Sequence, residues 1–345
     1  MAYQLITAPS NQEAVMTSLR DFATSNGWTL NNFTAANVGV TRGVMTLSRG
    51  DVFVSFRWEG TESESTKSIT MFHALGYDGG NAQSPWLFPD DSGNGDQDDT
   101  LSTERRIARI GSGPFIALHL FASDTDEVSG NSAPHVYGVL EYAPGKYRHF
   151  SFGNLDKFGD GWTGGGFVCG HEWNPFQSSE SNPIDSRHSV HLDGIASNAS
   201  DSERATLHME GLPGQQPSKF GVSGATTSVG TDEAGNDRSM IYGGFRRSLY
   251  TYGFLHFIPS QLTGFLPFAP VPIFYRRDTL NSNSQVYFLG NMPNIRMVQM
   301  RNFNPGDEIT IGSVTWKIFP VVSKSNIGGN NEESENMGVA YALVS

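Results

Sequence analysis

The chain has 345 residues, a formal net charge of −12 and one cysteine, Cys169. The acidic balance argues against direct nucleic-acid binding, because neutralising phosphates requires clustered Lys and Arg, and the single cysteine excludes an intrachain disulfide. With 39 Gly, 23 Phe and only 17% charged residues, the composition is typical of turn-rich all-β proteins. No apolar run reaches the roughly 18 to 20 residues of a membrane span, and no signal segment is recognisable, so we expect synthesis in a cytoplasm and no membrane partner.

The first predicted element is an amphipathic helix from Ser10 to Asn26. Apolar residues recur at helical spacing, Ser10 is placed to cap the helix, and Glu13 stands three residues later as in a capping box. Strands are predicted next at Trp28–Leu30, Val44–Leu47 and Val52–Trp58. We therefore predict that residues 1–75 form an N-terminal module in which the helix packs on a small antiparallel sheet.

Two short motifs in the first hundred residues each admit a functional and a structural interpretation. Arg49-Gly50-Asp51 spells the integrin-binding tripeptide, but it connects two predicted strands, and Gly-Asp favours a hairpin turn. Asp90 to Asp99 offers many oxygen ligands for Ca²⁺, but the spacing lacks the Gly and Glu of an EF-hand loop. We interpret the first motif as a turn and the second as an exposed loop, and we assign no metal to either.

The middle of the chain predicts paired strands and a glycine-rich corner. Alternating apolar residues in Phe115–Phe121 predict a strand with one buried face, and Ile107–Ile110 predicts a short strand before it. A hairpin is expected around Ala143-Pro144-Gly145-Lys146, because Pro fixes φ and Gly accepts positive φ. Beyond it, three glycines lie between two aromatics and predict a close-packed corner against backbone or a neighbouring subunit. The residues of this corner are Trp162, Gly164, Gly165, Gly166 and Phe167.

The sequence carries no recognisable catalytic motif. His188 and His191 are three apart within a predicted strand, so they point to opposite faces, and His149, His171 and His208 add no zinc spacing. We take a hydrogen-bonded structural histidine as the default for each. Nucleophile elbows, phosphate-binding loops and dinucleotide fingerprints are missing. A glycosidase pair drawn from Glu172, Asp156 and Asp160 depends on a carboxylate separation that sequence does not give. We predict no enzyme activity, no cofactor and no metal.

The second half of the chain combines a polar tract with a compact C-terminal block. Ser178 to Met240 is too hydrophilic to form a core alone and is predicted to be an insertion or long surface loops. The run from Phe254 to Phe268 is broken by prolines, so an arm or edge strand against a partner and an internal core loop both remain open. From Val286 onward, strands and turns are expected to close a sheet with the central hairpin. We assign residues 76–177 and 241–345 to one central and C-terminal β body and 178–240 to the insertion.

These observations predict a mainly β protein with local α+β character. The architecture is expected to consist of antiparallel sheets or a β-sandwich with long loops, together with one N-terminal amphipathic helix packed on a small sheet.

Three stretches together resemble virion structural proteins of tailed bacteriophages. They are MAYQLITAPSNQEAVMTSLRDFATSNGWTL at the start, YAPGKYRHFSFGNLDKFGDGWTGGGFVCG in the centre, and IRMVQMRNFNPGDEITIGSVTWKIFPVVSK followed by ENMGVAYALV near the end. The resemblance covers about a third of the chain and implies assembly into a particle without catalytic residues. Its last stretch adds Trp316, Phe319 and Pro320 to the residues expected to act in packing or assembly. The tract from Ser178 to Met240 lies outside it.

The resemblance gives a leading hypothesis of a non-enzymatic tail, baseplate or neck component. We expect such a part to form a homo-oligomeric ring and to contact other virion proteins, with assembly in the bacterial host cytoplasm and residence in the virion. Two alternatives remain. One is a host-glycan-binding module that uses Trp86, Trp162 or Trp173, and the other is a capsid-decorating protein.

Overall fold

The protein is mainly β, as the sequence predicts, with several antiparallel sheets and a single helix among the residues described. The structure is a computed structural model. It describes residues 1–36, 43–50, 52–58, 69–74, 76–77, 86–87, 105–107, 110–159, 166–170, 206–207, 238–243, 268, 270–278, 285–300, 303–320 and 337–343. No helix in these ranges combines the length and the apolar character of a membrane span.

The elements in chain order are β1 (Ala2–Thr7), α1 (Gln12–Ser25), β2 (Thr29–Thr34), β3 (Gly43–Arg49), β4 (Val52–Trp58), β5 (Ile69–Ala74), β6 (Gly76–Tyr77), β7 (Trp86–Leu87), β8 (Arg105–Ile107), β9 (Ala117–Thr125), β10 (Ser132–Ala143), β11 (Lys146–Asn154), β12 (Asp156–Lys157), β13 (Gly166–Gly170), β14 (Thr206–Leu207), β15 (Arg238–Gly243), β16 (Pro272–Asp278), β17 (Gln285–Asn291), β18 (Ile295–Gln299), β19 (Glu308–Ile311), β20 (Val314–Pro320) and β21 (Met337–Leu343).

The centre of the molecule is a six-stranded antiparallel sheet in the order β1-β9-β10-β11-β13-β14, which we call the central sheet. Its core is the predicted hairpin, in which Ala143 pairs with Lys146 and Gly145 has a φ of 68°. Gly138 lies opposite Phe150, and a Cβ at this glycine would enter the Phe150 ring. Glycine here lets the ring lie flat across the neighbouring strand.

One face of the central sheet packs against an N-terminal layer, which consists of α1 and the sheet β2-β3-β4-β5-β8. Alternate residues of a strand point to opposite faces, so β9 directs Leu118 and Leu120 toward this layer. They join one continuous core with helix residues such as Leu19 and with sheet residues such as Phe56. Within it, Phe152 makes edge-to-face contacts with Trp28 and Phe56, at centroid distances of 4.9 and 5.4 Å.

The opposite face of the central sheet packs against a C-terminal sheet of four strands in the order β18-β21-β20-β19. The prediction that these strands close a sheet with the central hairpin is wrong. Both edges of the hairpin are occupied, because β10 also pairs with β9 and β11 also pairs with β13. The C-terminal strands therefore stack face to face on the central sheet. The described core has three layers, with the central sheet in the middle.

A further four-stranded sheet has the order β12-β17-β16-β15. It begins directly after the central hairpin, because β12 follows β11 after one residue, Leu155, and pairs with the end of β17. Its strand β15 pairs with β16 along its length.

The helix begins one residue later than predicted. Asn11 is the cap, and its Oδ1 accepts a hydrogen bond of 2.9 Å from the amide of Ala14. Glu13 is therefore at the second helical position, one short of the position that a capping box requires. Its carboxylate instead accepts hydrogen bonds from Trp58 Nε1 at 2.7 Å and from the Ala36 amide at 3.1 Å. This carboxylate fixes the helix to the N-terminal sheet.

Candidate functional site

Of the residues predicted to act in packing or assembly, some lie on two strands, β13 and β20, and the others lie outside the described residues. Gly166 and Phe167 open β13, where Phe167 is fully buried and lies opposite Gly153 of β11. Trp162, Gly164 and Gly165 lie outside the described residues. Trp316, Phe319 and Pro320 are all on β20 and all buried. The last three therefore share one strand, and that strand belongs to a different sheet from Phe167.

Trp316 lies on the face of the C-terminal sheet that points away from the central sheet. The Arg296 guanidinium lies 5.1 Å from its ring centroid, and the Phe268 ring packs at 6.1 Å. Phe268 also contacts Phe303, within a small core that includes Ile318. For Phe268, the last aromatic of the proline-broken run, these contacts favour the core alternative over an arm. Phe254, Phe257 and Phe265 lie outside the described residues.

Phe319 lies on the opposite face of β20 and enters the interface between the central and C-terminal sheets. Its ring lies 4.6 Å from the ring of His119 on β9 and 5.9 Å from Tyr147 on β11. Tyr341 of β21 stacks on Phe121 at 4.8 Å in the same interface. The interface is therefore aromatic, with rings from both sheets.

His149 connects the two sheets through hydrogen bonds. Its Nε2 lies 2.8 Å from the Pro320 carbonyl, which only accepts, so Nε2 carries the proton and donates. Its Nδ1 lies 2.6 Å from the Tyr341 hydroxyl and accepts from it. Burial lowers the pKa of His149 to about 3, so the ring is neutral. The default of a hydrogen-bonded structural histidine is confirmed for His149, whereas His171, His188, His191 and His208 lie outside the described residues.

A second connection between the sheets centres on Asn294, in the turn before β18. Its amide donates to Asp126 Oδ2 at 2.8 Å, and its side-chain oxygen accepts from the Glu127 amide at 2.7 Å. Its Nδ2 donates to the Thr125 carbonyl at 2.6 Å and lies 3.3 Å from His135 Nε2. Asn294 adopts a φ of 54°, which asparagine tolerates better than most residues. This asparagine fastens the β9–β10 loop to the C-terminal sheet.

Asp126 is buried and charged at this connection. Burial alone would raise its pKa, but hydrogen bonds from the amides of Ser129, Asn294 and Val128, together with the nearby Arg296, hold the pKa below its ordinary value. These amide bonds and the nearby guanidinium hold the carboxylate in place, as is typical of a structural carboxylate. Sequence reasoning missed this connection, although the Pro293-Asn294 dipeptide was an available turn signal.

Two residues from the motifs considered for binding or catalysis, Arg49 and Asp156, lie in the described ranges, and both make contacts within the protein. Arg49 of the integrin-like tripeptide forms an ion pair of 2.6 Å with Asp124 and donates to the Asn26 carbonyl, so it fastens the N-terminal sheet to the central sheet. Asp156 accepts a hydrogen bond of 2.8 Å from Asn131. Its supposed partners Asp160 and Glu172 lie outside the described residues, as does the segment Asp90–Asp99. Within the described ranges, no group of three His, Cys, Asp or Glu side chains is arranged to hold a metal.

The side chains of the tryptophans predicted to recognise glycans, Trp86, Trp162 and Trp173, lie outside the described residues. Each of three other tryptophans has an exposed fraction of 4% or less, so its ring offers no surface on which a sugar could stack. They are Trp28, Trp58 and Trp316. The backbone of Trp86 lies in β7, but its side chain is outside the description, as are Trp162 and Trp173. Trp28, Trp58 and Trp316 therefore serve the core.

No protein-family model matches the chain, and no curated protein matches it. The functional interpretation accordingly depends on the residues, on their geometry and on the resemblance of the three sequence stretches.

Proposed function

We propose that the protein is a non-enzymatic structural component of a tailed-phage virion, acting in the tail, baseplate or neck. In this role it assembles with copies of itself and with other virion proteins. The proposal starts from the resemblance of three separate stretches, one near the start, one in the centre and one near the end of the chain.

The observation that carries the proposal is where those stretches lie in the fold. The first supplies β1 and α1, the central one supplies β11 and β13, and the last supplies all four strands of the C-terminal sheet. The three layers each receive a part of the resemblance, and the layers pack on one another through these parts. A resemblance that is spread over all three layers of the fold fits a shared structural role better than a grafted catalytic loop.

The use of polar groups between the sheets also fits a structural part. His149 and Asp126 bind main-chain groups that belong to a different element. Such bonds fix the position of one sheet relative to the other, and they use the hydrogen-bonding capacity of these buried groups within the protein. Rigid placement of layers is what a subunit of a symmetric assembly requires, because small errors repeat around the ring.

Cryo-electron microscopy of purified virions, with mass spectrometry of the same particles, tests the proposal. We expect the chain at a fixed copy number in a tail, baseplate or neck ring. Density on the capsid shell would replace this role with that of a decorating protein. Absence from the particle would overturn the virion assignment, and binding of the isolated protein to host polysaccharide would then support the glycan-binding alternative.

A further inference from the structure

Three histidines occupy one face of the central sheet, the face that meets the C-terminal sheet; His135 and His149 are fully buried, and His119 is partly buried. His119 is on β9, His135 on β10 and His149 on β11. Val139 of β10 pairs with both His119 and His149, so these two rings lie in one row across three strands. His135 lies on the same face, four residues before Val139. The opposite face of the same strands carries none of these histidines, because it is directed to the apolar core.

Each of the three rings contacts the C-terminal layer. His149 donates to the Pro320 carbonyl and accepts from Tyr341. His119 packs against Phe319 with centroids 4.6 Å apart, and its Nδ1 bonds to the Tyr3 hydroxyl of β1 at 2.9 Å. His135 bonds across the interface to Asn294.

The hydrogen bonds of His135 and His149 define neutral rings. His135 Nδ1 lies 2.5 Å from the Ala133 carbonyl and donates to it, so Nε2 keeps a lone pair that accepts from Asn294 Nδ2. In His149 the roles of the two nitrogens are exchanged, with Nε2 donating to Pro320 and Nδ1 accepting from Tyr341. A second proton on His135 would occupy the lone pair that accepts from Asn294 Nδ2, a group that only donates. On His149 the Tyr341 hydroxyl can turn to accept from the new N–H, so the second proton is opposed there by the burial of the charge. Protonation and docking of that layer therefore oppose each other.

We propose that the interface between the central sheet and the C-terminal sheet is a pH-sensitive joint, which opens when His119, His135 and His149 take up protons. This inference does not depend on the virion role. It describes a conformational device in the fold itself, whatever the assembly to which the protein belongs.

The charged groups around His119 and His149 favour the closed, neutral state at neutral pH. For His149, burial is the main cause of a pKa lowered to about 3, and Arg148 on its own strand and His119 on β9 lower it further, while the bond to Pro320 opposes them. For His119, burial and then Lys317 of β20 lower the pKa to about 4. Glu308 of β19 pairs with Lys317 at 2.7 Å.

The surroundings of His135 include both signs of charge. Burial lowers its pKa to about 4, and the N-terminal amine acts in the same direction. The bond to the Ala133 carbonyl and the charges of Asp126 and Asp124 oppose this effect without overcoming it. All three histidines thus share one direction of shift.

The direction of the pH effect follows from these shifts. In the closed state the rings bind protons only below about pH 4, whereas a solvated ring binds one below its ordinary pKa of 6.5. The stability of the joint is therefore complete above pH 6.5 and is lost as the pH falls toward the closed-state pKa values. Between pH 7 and pH 5, each ring shifts the equilibrium toward opening by roughly 20-fold, and the three together by roughly 10⁴-fold.

Hydrogen exchange of the full chain, measured by mass spectrometry at pH 7 and pH 5, tests the joint. Protection factors are taken relative to the intrinsic exchange rate at each pH. We expect strands β18, β20 and β21 to lose protection at pH 5 by 100-fold or more, while β3 and β4 of the N-terminal layer keep theirs. Equal loss in both layers would mean general acid unfolding, and unchanged protection in the C-terminal strands would mean no joint. Either result overturns the proposal.

Matched variants assign the effect to the histidines. Glutamine retains a donor and an acceptor but does not titrate, so H149Q should reduce the pH effect by roughly 20-fold and the triple variant with H119Q and H135Q should remove it. Y137F is the control: it removes the interface bond from the Tyr137 hydroxyl to the Pro293 carbonyl, in which no histidine takes part, and should leave the pH dependence intact. Persistence of the full pH dependence in H149Q overturns the proposal. If the triple variant does not fold, H149Q and the wild-type exchange decide the matter.

Discussion

The two faces of the central sheet are built from the same strands but by different chemistry. Toward the N-terminal layer, β9 presents Leu118 and Leu120 to a core whose members are almost all apolar. Toward the C-terminal sheet, the intervening residues include His119, and the partner strands add His149 and Tyr137, which bond to specific acceptors. The apolar face stabilises the fold in proportion to the area that it buries, and this non-directional effect does not demand one particular arrangement of neighbours. The polar face fixes one arrangement, and it is the face that responds to protons.

The largest expected effect comes from breaking the apolar face. Phe152→Ala removes a buried ring that touches Trp28 and Phe56 and leaves a cavity between the sheets. We expect a loss of about 3 to 5 kcal/mol in the free energy of unfolding, measured by urea titration at pH 7. Phe158→Ala is the matched control, because Phe158 is 65% exposed, and it should change stability by no more than about 0.5 kcal/mol. Similar losses in the two variants would contradict the assigned core.

The next effect comes from the connection at Asn294. Asn294→Ala removes the bonds to the Glu127 amide and the Thr125 carbonyl and places alanine at positive φ, so we expect a loss of about 2 to 3 kcal/mol in a urea titration. Asn294→Gly relieves the backbone strain but does not restore the lost hydrogen bonds. It should recover about 1 kcal/mol of the loss. A neutral result for alanine would show that the turn is held by other contacts.

Tyr341→Phe sharpens the comparison at a single hydroxyl. It keeps the ring that stacks on Phe121 but removes the bond to His149 Nδ1, at a cost of about 1 to 2 kcal/mol. Thermal or urea unfolding at pH 7 measures this cost. Tyr142→Phe, on a partly exposed ring at the end of β10, is the control and should be near neutral. A cost equal to that of the control would mean that the hydroxyl contributes nothing to the joint.

The smallest effect is expected at the rim of the interface. Glu308→Gln removes the ion pair with Lys317, but Glu308 is half exposed, so screening by water should limit the change to about 0.5 kcal/mol or less. A salt titration of the unfolding midpoint measures it. A change as large as that of Tyr341→Phe would mean that the exposed ion pair at the rim stabilises this interface as much as a buried hydrogen bond to His149 does.

Local features were predictable from the sequence where one short segment decides them. Strand β4 has the predicted bounds Val52–Trp58, and the hairpin at Pro144-Gly145 forms as its turn chemistry requires. The alternation in Phe115–Phe121 correctly marked Leu118 and Leu120 as buried, although Ile116 is 44% exposed. Such signals depend on neighbours within a few residues.

The layering was not predictable, because it depends on residues far apart in the chain. Alternation predicted one buried face for β9, yet His119 and Phe121 on its other face are covered by Phe319 and Tyr341, about 200 residues later. Histidine and asparagine read as polar surface in a sequence, so the connections at His149 and Asn294 gave no hydrophobic pattern. Only the covering sheet turns these residues into interior ones.

The order of strands in the C-terminal sheet has a consequence for how the protein is made. Strand β21 lies between β18 and β20, so those two strands, although synthesised earlier, do not pair with each other. The C-terminal sheet therefore cannot be completed during translation until β21 has left the ribosome, whereas β9, β10 and β11 are consecutive in the chain and each has its pairing partner at hand once it emerges. Because β21 is synthesised after every strand of the central sheet, the histidine face of that sheet lacks its complete cover in the nascent chain until β21 arrives.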